Sequence, residues 1–557
     1  MRSIFSMTLL SLIAVPAFAL VDMKNANYSQ TFVDMEVPGT GYDLKIVRSY
    51  QSRSLYNGMF GFGWCSDFET KLEMNAEGNI KVTTCGAGKE TIYSLKEVTK
   101  KDVDASIGKI IAKMKADKKF SGSSDKYFKE QAELMAFDDQ MRNRRAKEYG
   151  ISNPPPKEGA KYLANGSEVE NVIFNKTYYT RNLADGSYQR FNLDGELTHF
   201  YDKNGNFLKF EYEKSTIKEI VDNNARRLSF KYFPNKKVKQ INGPNGLTAE
   251  YKYNSQDDLV WTRNAFAKKP TESYVYDYNE FHNMTKIIYP DKKTVSVKYD
   301  NIKDWVIGFV DRDNCTETYK YEFSPSNPKL HYWSTVKKVC GKQTVADNRF
   351  EFWHRQRSDG LIFLERVLTR IGGVTSDITY HEQFGKPISI RRNSEKMSFE
   401  YYPDGLIKAK IATNVRTDFQ HDEKLKKPSK VVVTISDDKG KKLVTRNTIF
   451  KYDGKGNMTY AENSEGQKVT MTYDGKGRIS SIVDQAKKLV KIEYEDKLGK
   501  PSMVTRPGLG TIKVTYKSSG EIQKVDSPEG PIVATQVASA FNNMLDIITP
   551  ASEEPYL

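Results

Sequence analysis

A tyrosine returns every twenty or so residues through most of this 557-residue chain, and no other feature limits its fold as sharply. Tyr452, Tyr473 and Tyr494 stand 21 residues apart, and Tyr516 follows after 22. The segments Phe450-Lys-Tyr-Asp-Gly-Lys-Gly-Asn, Met471-Thr-Tyr-Asp-Gly-Lys-Gly-Arg and Ile492-Glu-Tyr-Glu-Asp-Lys-Leu-Gly align through that tyrosine without a gap. Upstream the same beat runs through Tyr212, Tyr232, Tyr253, Tyr276, Tyr299 and Tyr321 at intervals of 20 to 23. Tyr380 and Tyr402 carry it beyond a divergent stretch around 323–375.

One period has a physical reading. Val469, Met471 and Tyr473 alternate with polar residues, as on a strand with one buried face. Asp474-Gly475 and Gly477 supply a tight turn, and Ile479 with Ile482 or Val483 begins the return strand. Each period is then one hairpin, which is not stable alone and must stack on its neighbours. From about 180 to 527 the register allows roughly sixteen hairpins, or about thirty strands spaced near 4.8 Å. So wide a sheet must coil, because strand twist accumulates. The expected fold is therefore mainly β. Tandem hairpins of about 21 residues form a coiled or spiral sheet with tyrosines on its inner face, joined by a small helical insertion and a short C-terminal helix.

The rest of the chain divides around this array. Residues 1–19 read as a signal peptide: Arg2, an apolar run from Ile4 to Val15, then Pro16 and Ala17-Phe18-Ala19, with cleavage expected after Ala19. Residues 20–95 form an N-terminal β cap, 96–156 a helical insertion, 157–527 the repeat spiral and 528–557 a tail. In the insertion, Ile107, Ile110, Ile111 and Met114 share a helix face. Phe128, Met135 and Met141 share another, on a helix beginning near Asp125. Arg142, Arg144, Arg145 and Lys147 crowd its last turns, where cations suit the helix dipole, and Gly150 with Pro154-Pro155-Pro156 ends it. In the tail, Val537, Phe541, Met544 and Ile548 have helical spacing over about 532–548.

Two sets of residues carry a family resemblance. The Tyr-Asp-x-x-Gly periods resemble the YD repeats of bacterial Rhs proteins, toxin-complex cocoon subunits and animal teneurins. Val37-Pro-Gly-Thr-Gly-Tyr-Asp-Leu-Lys-Ile-Val-Arg-Ser-Tyr-Gln-Ser-Arg-Ser and Gly58-Met-Phe-Gly-Phe-Gly-Trp64 resemble the domain that precedes Rhs repeats. The resemblance implies a hollow β-spiral used in secretion, toxin carriage or surface contact. It does not name a ligand. Toxin-bearing relatives end their shell in paired Asp-Pro motifs and then carry a toxic domain. Here Asp526-Ser-Pro-Glu-Gly is a faint echo, so neither self-cleaving aspartates nor a toxin is assigned.

No constellation for catalysis stands out. The histidines, His199, His282, His331, His354, His381 and His421, have no metal-ligand spacing, and no nucleophile elbow or Walker loop occurs. Gly86-Ala-Gly-Lys89, Gly454-Lys-Gly456 and Gly475-Lys-Gly477 read as turns. Asp311-Arg-Asp313-Asn314 with Glu322 resembles a calcium loop but has Cys315 and Thr316 where that loop needs a ligand and a glycine. No metal or cofactor is expected, and the chain reads as a non-enzyme. The four cysteines of an exported chain favour the local pairs Cys65–Cys85 and Cys315–Cys340.

The net charge of +15 comes from 86 basic and 71 acidic residues interspersed along the chain, which excludes a nucleic-acid arm. No later stretch spans a bilayer, so an integral membrane protein is not expected. The reading is an exported shell or surface-contact module of the periplasm, cell surface or medium. Its partner is unknown, with cell-surface glycans and another envelope protein as the candidates. The alternatives are a carrier for a toxin on another chain, or a carbohydrate-binding adhesin using Trp261, Trp305, Trp333 and Trp353. Against the adhesin, large aromatics more commonly fill a β core.

Overall fold

The computed structural model describes residues 20–84, 89–95, 99–151, 156–164, 167–265, 272–357, 362–517 and 520–545. Among them one antiparallel sheet of 36 strands runs from Lys71–Met74 to Ile522–Asp526. Nearly every strand pairs with the next in sequence, which is what a chain of hairpins must do. A second, four-stranded sheet precedes it: Leu20–Asp22, Asn27–Val37, Leu44–Gln51 and Trp64–Cys65. The signal-peptide reading and cleavage at Ala19 lie outside the described residues, as do Cys85, Pro154, Pro155 and Ile548.

The hairpin Lys468–Tyr473 and Ile479–Asp484 shows how the repeat works. Val469 and Met471 are buried while Thr470 and Thr472 face solvent, as the alternation requires. A bulge between Thr472 and Tyr473 sets Tyr473 opposite Ile479. The Asp474 carboxylate accepts the backbone N–H of Lys476 (3.0 Å) and Arg478 (2.9 Å), closing the turn. The phenol then leaves its own hairpin: Tyr473 Oη donates to the carbonyl of Met458 at 2.6 Å, and Tyr494 Oη to that of Ile479 at 2.8 Å. Each tyrosine therefore holds the first residue of the preceding return strand. Such a bond is worth about 1 kcal/mol net, and it recurs in most repeats.

The coil touches itself in two places. Leu72 N–H donates to the carbonyl of Gly195 (3.0 Å) beside an isolated bridge between Lys71 and Glu196, so the beginning of the sheet closes on an early turn. Gly195 has φ +76°, and a Cβ there would lie 1.8 Å from the Leu72 oxygen. Later, turns of the last repeats rest on the opposite rim of the first ones. Asn457 Nδ2 donates to Asn204 Oδ1 (3.0 Å), Lys203 Nζ to Gly456 O (3.1 Å) and Asn206 Nδ2 to Lys476 O (3.3 Å). Gly477 (φ +79°) is the closest approach, for its Cβ would meet the Asn204 amide at 2.1 Å. The loop of Thr40 continues the seam, donating through Oγ1 to Asp496 O (2.6 Å).

Burial follows from this coiling. One apolar cluster joins the N-terminal sheet to the inner face of the early repeats, from Val21 to Tyr319. A second lines the later repeats from Ile390 to Ile492. The insertion forms a third with Ala76. Although the insertion separates Lys89–Ser94 from Lys161–Ala164, those strands still pair, so the helices bulge from one hairpin. Helix Lys100–Ala116 starts at a Thr99/Asp102 capping box and buries Ile107, Ile110 and Met114. The expected second helix is two: Asp138 ends Asp125–Phe137 and caps Asp139–Glu148 by accepting the Met141 N–H (2.8 Å). Arg142 differs from a solvated terminal cation. It is buried, donating to Glu77 (2.7 Å) and the Met135 carbonyl (2.6 Å). The tail forms helix Pro531–Leu545 against the last strands, with Val537 buried.

Candidate functional site: the docked N-terminal domain

The motif residues of the N-terminal domain converge on the inner face of the repeats. Arg48 and Asp34 face each other from adjacent strands, Nε to Oδ2 at 2.6 Å, both side chains fully buried. The Arg48 guanidinium also donates to Tyr276 Oη (2.8 Å) and lies over the rings of Trp64 (4.4 Å) and Phe32 (4.8 Å). Tyr251 donates to Asp34 Oδ2 at 2.8 Å. Burial alone would lower the Arg48 pKa, but the adjoining Asp34 charge prevails and raises it. Burial, followed by the Asp34 charge, pushes the Tyr251 phenol far up. The ion pair thus fastens the domain to two neighbouring repeats.

The following residues make the other fastenings. Tyr50 Oη donates to His282 O (3.0 Å) and accepts the Met284 N–H (2.8 Å). Trp64 Nε1 donates to Tyr278 Oη (2.9 Å). Phe62 stacks on the His282 ring at 3.9 Å, and His282 Nδ1 contacts the fully buried Asp258 carboxylate at 2.7 Å. Glu69 collects the N–H of Met59 (2.7 Å) and Ser66 (3.1 Å) and the Tyr56 hydroxyl (3.0 Å). Burial pushes its carboxyl up to about 7 against these hydrogen bonds. Glu69 borders a cavity of about 1170 Å³ between this domain, the helices and the first turns.

The ten repeat tyrosines divide by what their hydroxyls reach. Tyr212, Tyr232, Tyr299, Tyr321, Tyr452, Tyr473, Tyr494 and Tyr516 each donate to a main-chain carbonyl of a neighbouring hairpin. Tyr253 instead reaches Met59 O in the N-terminal domain (3.3 Å). Tyr276 holds Arg48, and its place in the rung falls to Tyr278, which donates to Leu259 O (2.9 Å). Likewise Tyr401, not Tyr402, sits after the strand bulge and donates to Pro387 O (2.6 Å). Sequence spacing missed both shifts, because Tyr276/Tyr278 and Tyr401/Tyr402 offer two tyrosines each.

Other sequence candidates take structural positions. Cys315 and Cys340 form a disulfide across the hairpin Thr316–Phe323 and His331–Cys340. Cys65 is buried, and its expected partner Cys85 lies outside the described residues. Asp311 accepts the N–H of Asp313 and Cys315 and pairs with Lys338 (2.7 Å), which uses the carboxylate as turn chemistry. Burial lowers His199, His354 and His421. Among the described residues no group of three or more His, Cys, Asp or Glu could hold a metal ion. The tryptophans depart from the core-filling expectation: only Trp64 is buried. Trp261, Trp305, Trp333 and Trp353 are half-buried, and a cation lies over each: Lys252, Lys303, Arg349 and Arg366, at 4.4 to 4.7 Å. The sequence carried no mark of these cations, because they come from neighbouring strands or turn positions.

Comparison with known proteins agrees with this arrangement. Residues 19–93 match the family model described as a domain of unknown function (DUF6531), and residues 418–557 match Teneurin YD-shell. No curated protein matches the chain. A crystal structure of TcdB2-TccC3-TEV is similar at 10% identity and TM-score 0.43, covering 94% of this chain and 29% of that one. The Tc holotoxin pore of Photorhabdus luminescens, with a mutated TccC3, is similar at 9% identity and TM-score 0.34, covering 88% and 30%. The chain thus spans under a third of the length of these structures, whose likeness is too distant to carry argument. The fold and the docked domain define a shell of YD repeats. The two family matches and the repeat register support an Rhs/YD-repeat family for this chain.

Proposed function

We propose that this protein is an exported, non-catalytic shell that acts by enclosure or surface contact in the cell envelope or outside it. A structural role is the general one for this fold. The observation that carries the reading is the use made of its polar side chains. Arg48, Asp34, Tyr50, Trp64 and the rung tyrosines are spent on holding the N-terminal domain and the hairpins in place. Export is supported by the character of residues 1–19. The proposed domains are a cap at 20–95, an insertion at 96–156 and a spiral at 157–527, except that the strands from Lys71 to Ser94 share the spiral's sheet and not the cap's. No described helix is long and apolar enough to cross a membrane.

The reading is tested by fusing residues 1–19 to a reporter active only after export and by imaging the purified chain by electron microscopy. Reporter activity, its loss on substituting Ala17 and Ala19 by Asp, and a curved coiled particle are the expected results. A reporter that stays cytoplasmic would remove the export half of the proposal.

A further inference from the structure

One rim of the coil differs from the rest. Where most repeat strands in the later array have six or seven residues, Gln343–Gln356 has 14 and Lys442–Tyr452 has 11. The first pairs with Ile362–Ile371 only from Arg349 onward, and the second pairs with Met458–Asn463 only from Thr448 onward. Residues 343–348 and 442–447 therefore outrun a neighbour by roughly 15–20 Å at the rise of a strand. Both overhangs leave the sheet at the same end, because alternate turns of an antiparallel sheet share an edge. Three lower turns lie between them, at Gly372–Gly373, Asn393–Ser394 and Thr413–Asn414, so the rim spans about 40 Å.

The overhangs place aliphatic side chains where a strand lies on one side only. Val345 is 51% exposed on one, and Leu443 and Val444 are 60% and 42% exposed on the other, with Ile371 at 45% on the turn between. Around them stand exposed cations: Lys342 on the first hairpin, Arg370, Arg391 and Arg392 in the saddle, and Lys439, Lys441 and Lys442 at the far tip. The acids at that tip are engaged. Asp437 accepts the N–H of Lys439 and Lys441, and Asp438 accepts the Asn414 amide at 2.7 Å. The exposed acids elsewhere on the rim are Asp347, Glu395 and Glu465, the last paired with Arg446 of the second overhang at 3.0 Å. The Cys315–Cys340 disulfide ties the tip of the first hairpin, beside its turn, to the turn that precedes strand Thr316–Phe323.

Protruding aliphatics inside a ring of cations match a surface that is anionic above and apolar beneath. We infer that this rim docks peripherally on a bilayer containing anionic phospholipid, the cations meeting headgroups and Leu443, Val444 and Val345 entering the interface. The inference is independent of whether the coil encloses anything.

The test uses the purified full chain with sedimented vesicles of phosphatidylcholine alone, or of phosphatidylcholine mixed with phosphatidylglycerol. Binding to the mixed vesicles alone, weakening with salt, is expected. The triple variant Lys439→Glu, Lys441→Glu, Lys442→Glu should lose at least about tenfold in affinity, given about 1 kcal/mol per surface charge. The double variant Leu443→Ser, Val444→Ser should also bind more weakly. A control with the same change of charge on the insertion, Lys101→Glu, Lys109→Glu, Lys113→Glu, should bind as the parent does. Unchanged circular dichroism and melting temperature keep the comparison clean. Equal loss in the control, or binding to a soluble polyanion such as heparin without binding to vesicles, would overturn the inference.

Discussion

Glu69 sits where it must collect backbone N–H groups, yet burial holds its proton on. In an unfolded chain such a carboxyl titrates near its ordinary 4.5, while here it is pushed up to about 7. The folded state therefore binds this proton more tightly than the unfolded state does. The stabilisation that follows is complete below pH 4.5 and is lost as the pH climbs through about 7. Glu69→Gln should flatten that part of the profile: denaturant midpoints of parent and variant, measured from pH 4.5 to 8, should diverge with rising pH, the parent losing more. Parallel profiles would show that the carboxyl does not titrate there. None of this was legible in Ser66-Asp-Phe-Glu69, because burial comes from the Tyr232 and Tyr253 repeats that pack nearby.

At the scale of the element, the turn rather than the strand decides what each repeat tolerates. The positive-φ position that Gly477 fills is occupied in other turns by Ala225, Lys236, Asp257, His282 and Lys487, all with φ between 57° and 66°. A side chain is thus permitted where no neighbouring atom occupies the Cβ position, at a cost of about 1–2 kcal/mol per residue. Lys487→Gly should leave stability unchanged or raise it by up to about 1 kcal/mol, since glycine's own entropy offsets part of the relief. Gly477→Ala should lower it by more than that in the same thermal-melt series, through its φ of +79° and the Asn204 contact. Equal effects at the two sites would argue against the seam. The hairpin period was readable because Tyr, Asp and Gly act locally. The seam was not, because Asn204 and Gly477 are 273 residues apart.

For the whole molecule, the N-terminal domain fills the inner face that the early repeats would otherwise expose. Breaking its buried ion pair from one side strands a charge. Asp34→Asn should therefore cost about 3–5 kcal/mol, while Tyr56→Phe, at an exposed hydroxyl, should cost under about 1 kcal/mol. Urea unfolding followed by tryptophan fluorescence distinguishes them. A spiral of hairpins, a helical insertion and a terminal helix could be anticipated from periodicity alone. The contents of the spiral could not, since Arg48 and Tyr276 give no sign in one dimension that they will meet.

The contact between early and late turns also makes the molecule count. Each downstream tip has a particular seat: Asn204 receives the glycine of one repeat and Thr40 the backbone of the next. Inserting a single hairpin anywhere between residues 206 and 453 would slide every later tip along the ledge by two strand spacings, about 10 Å. Loop lengths are free to drift, but the tally of hairpins per revolution is held by the neighbours it brings face to face.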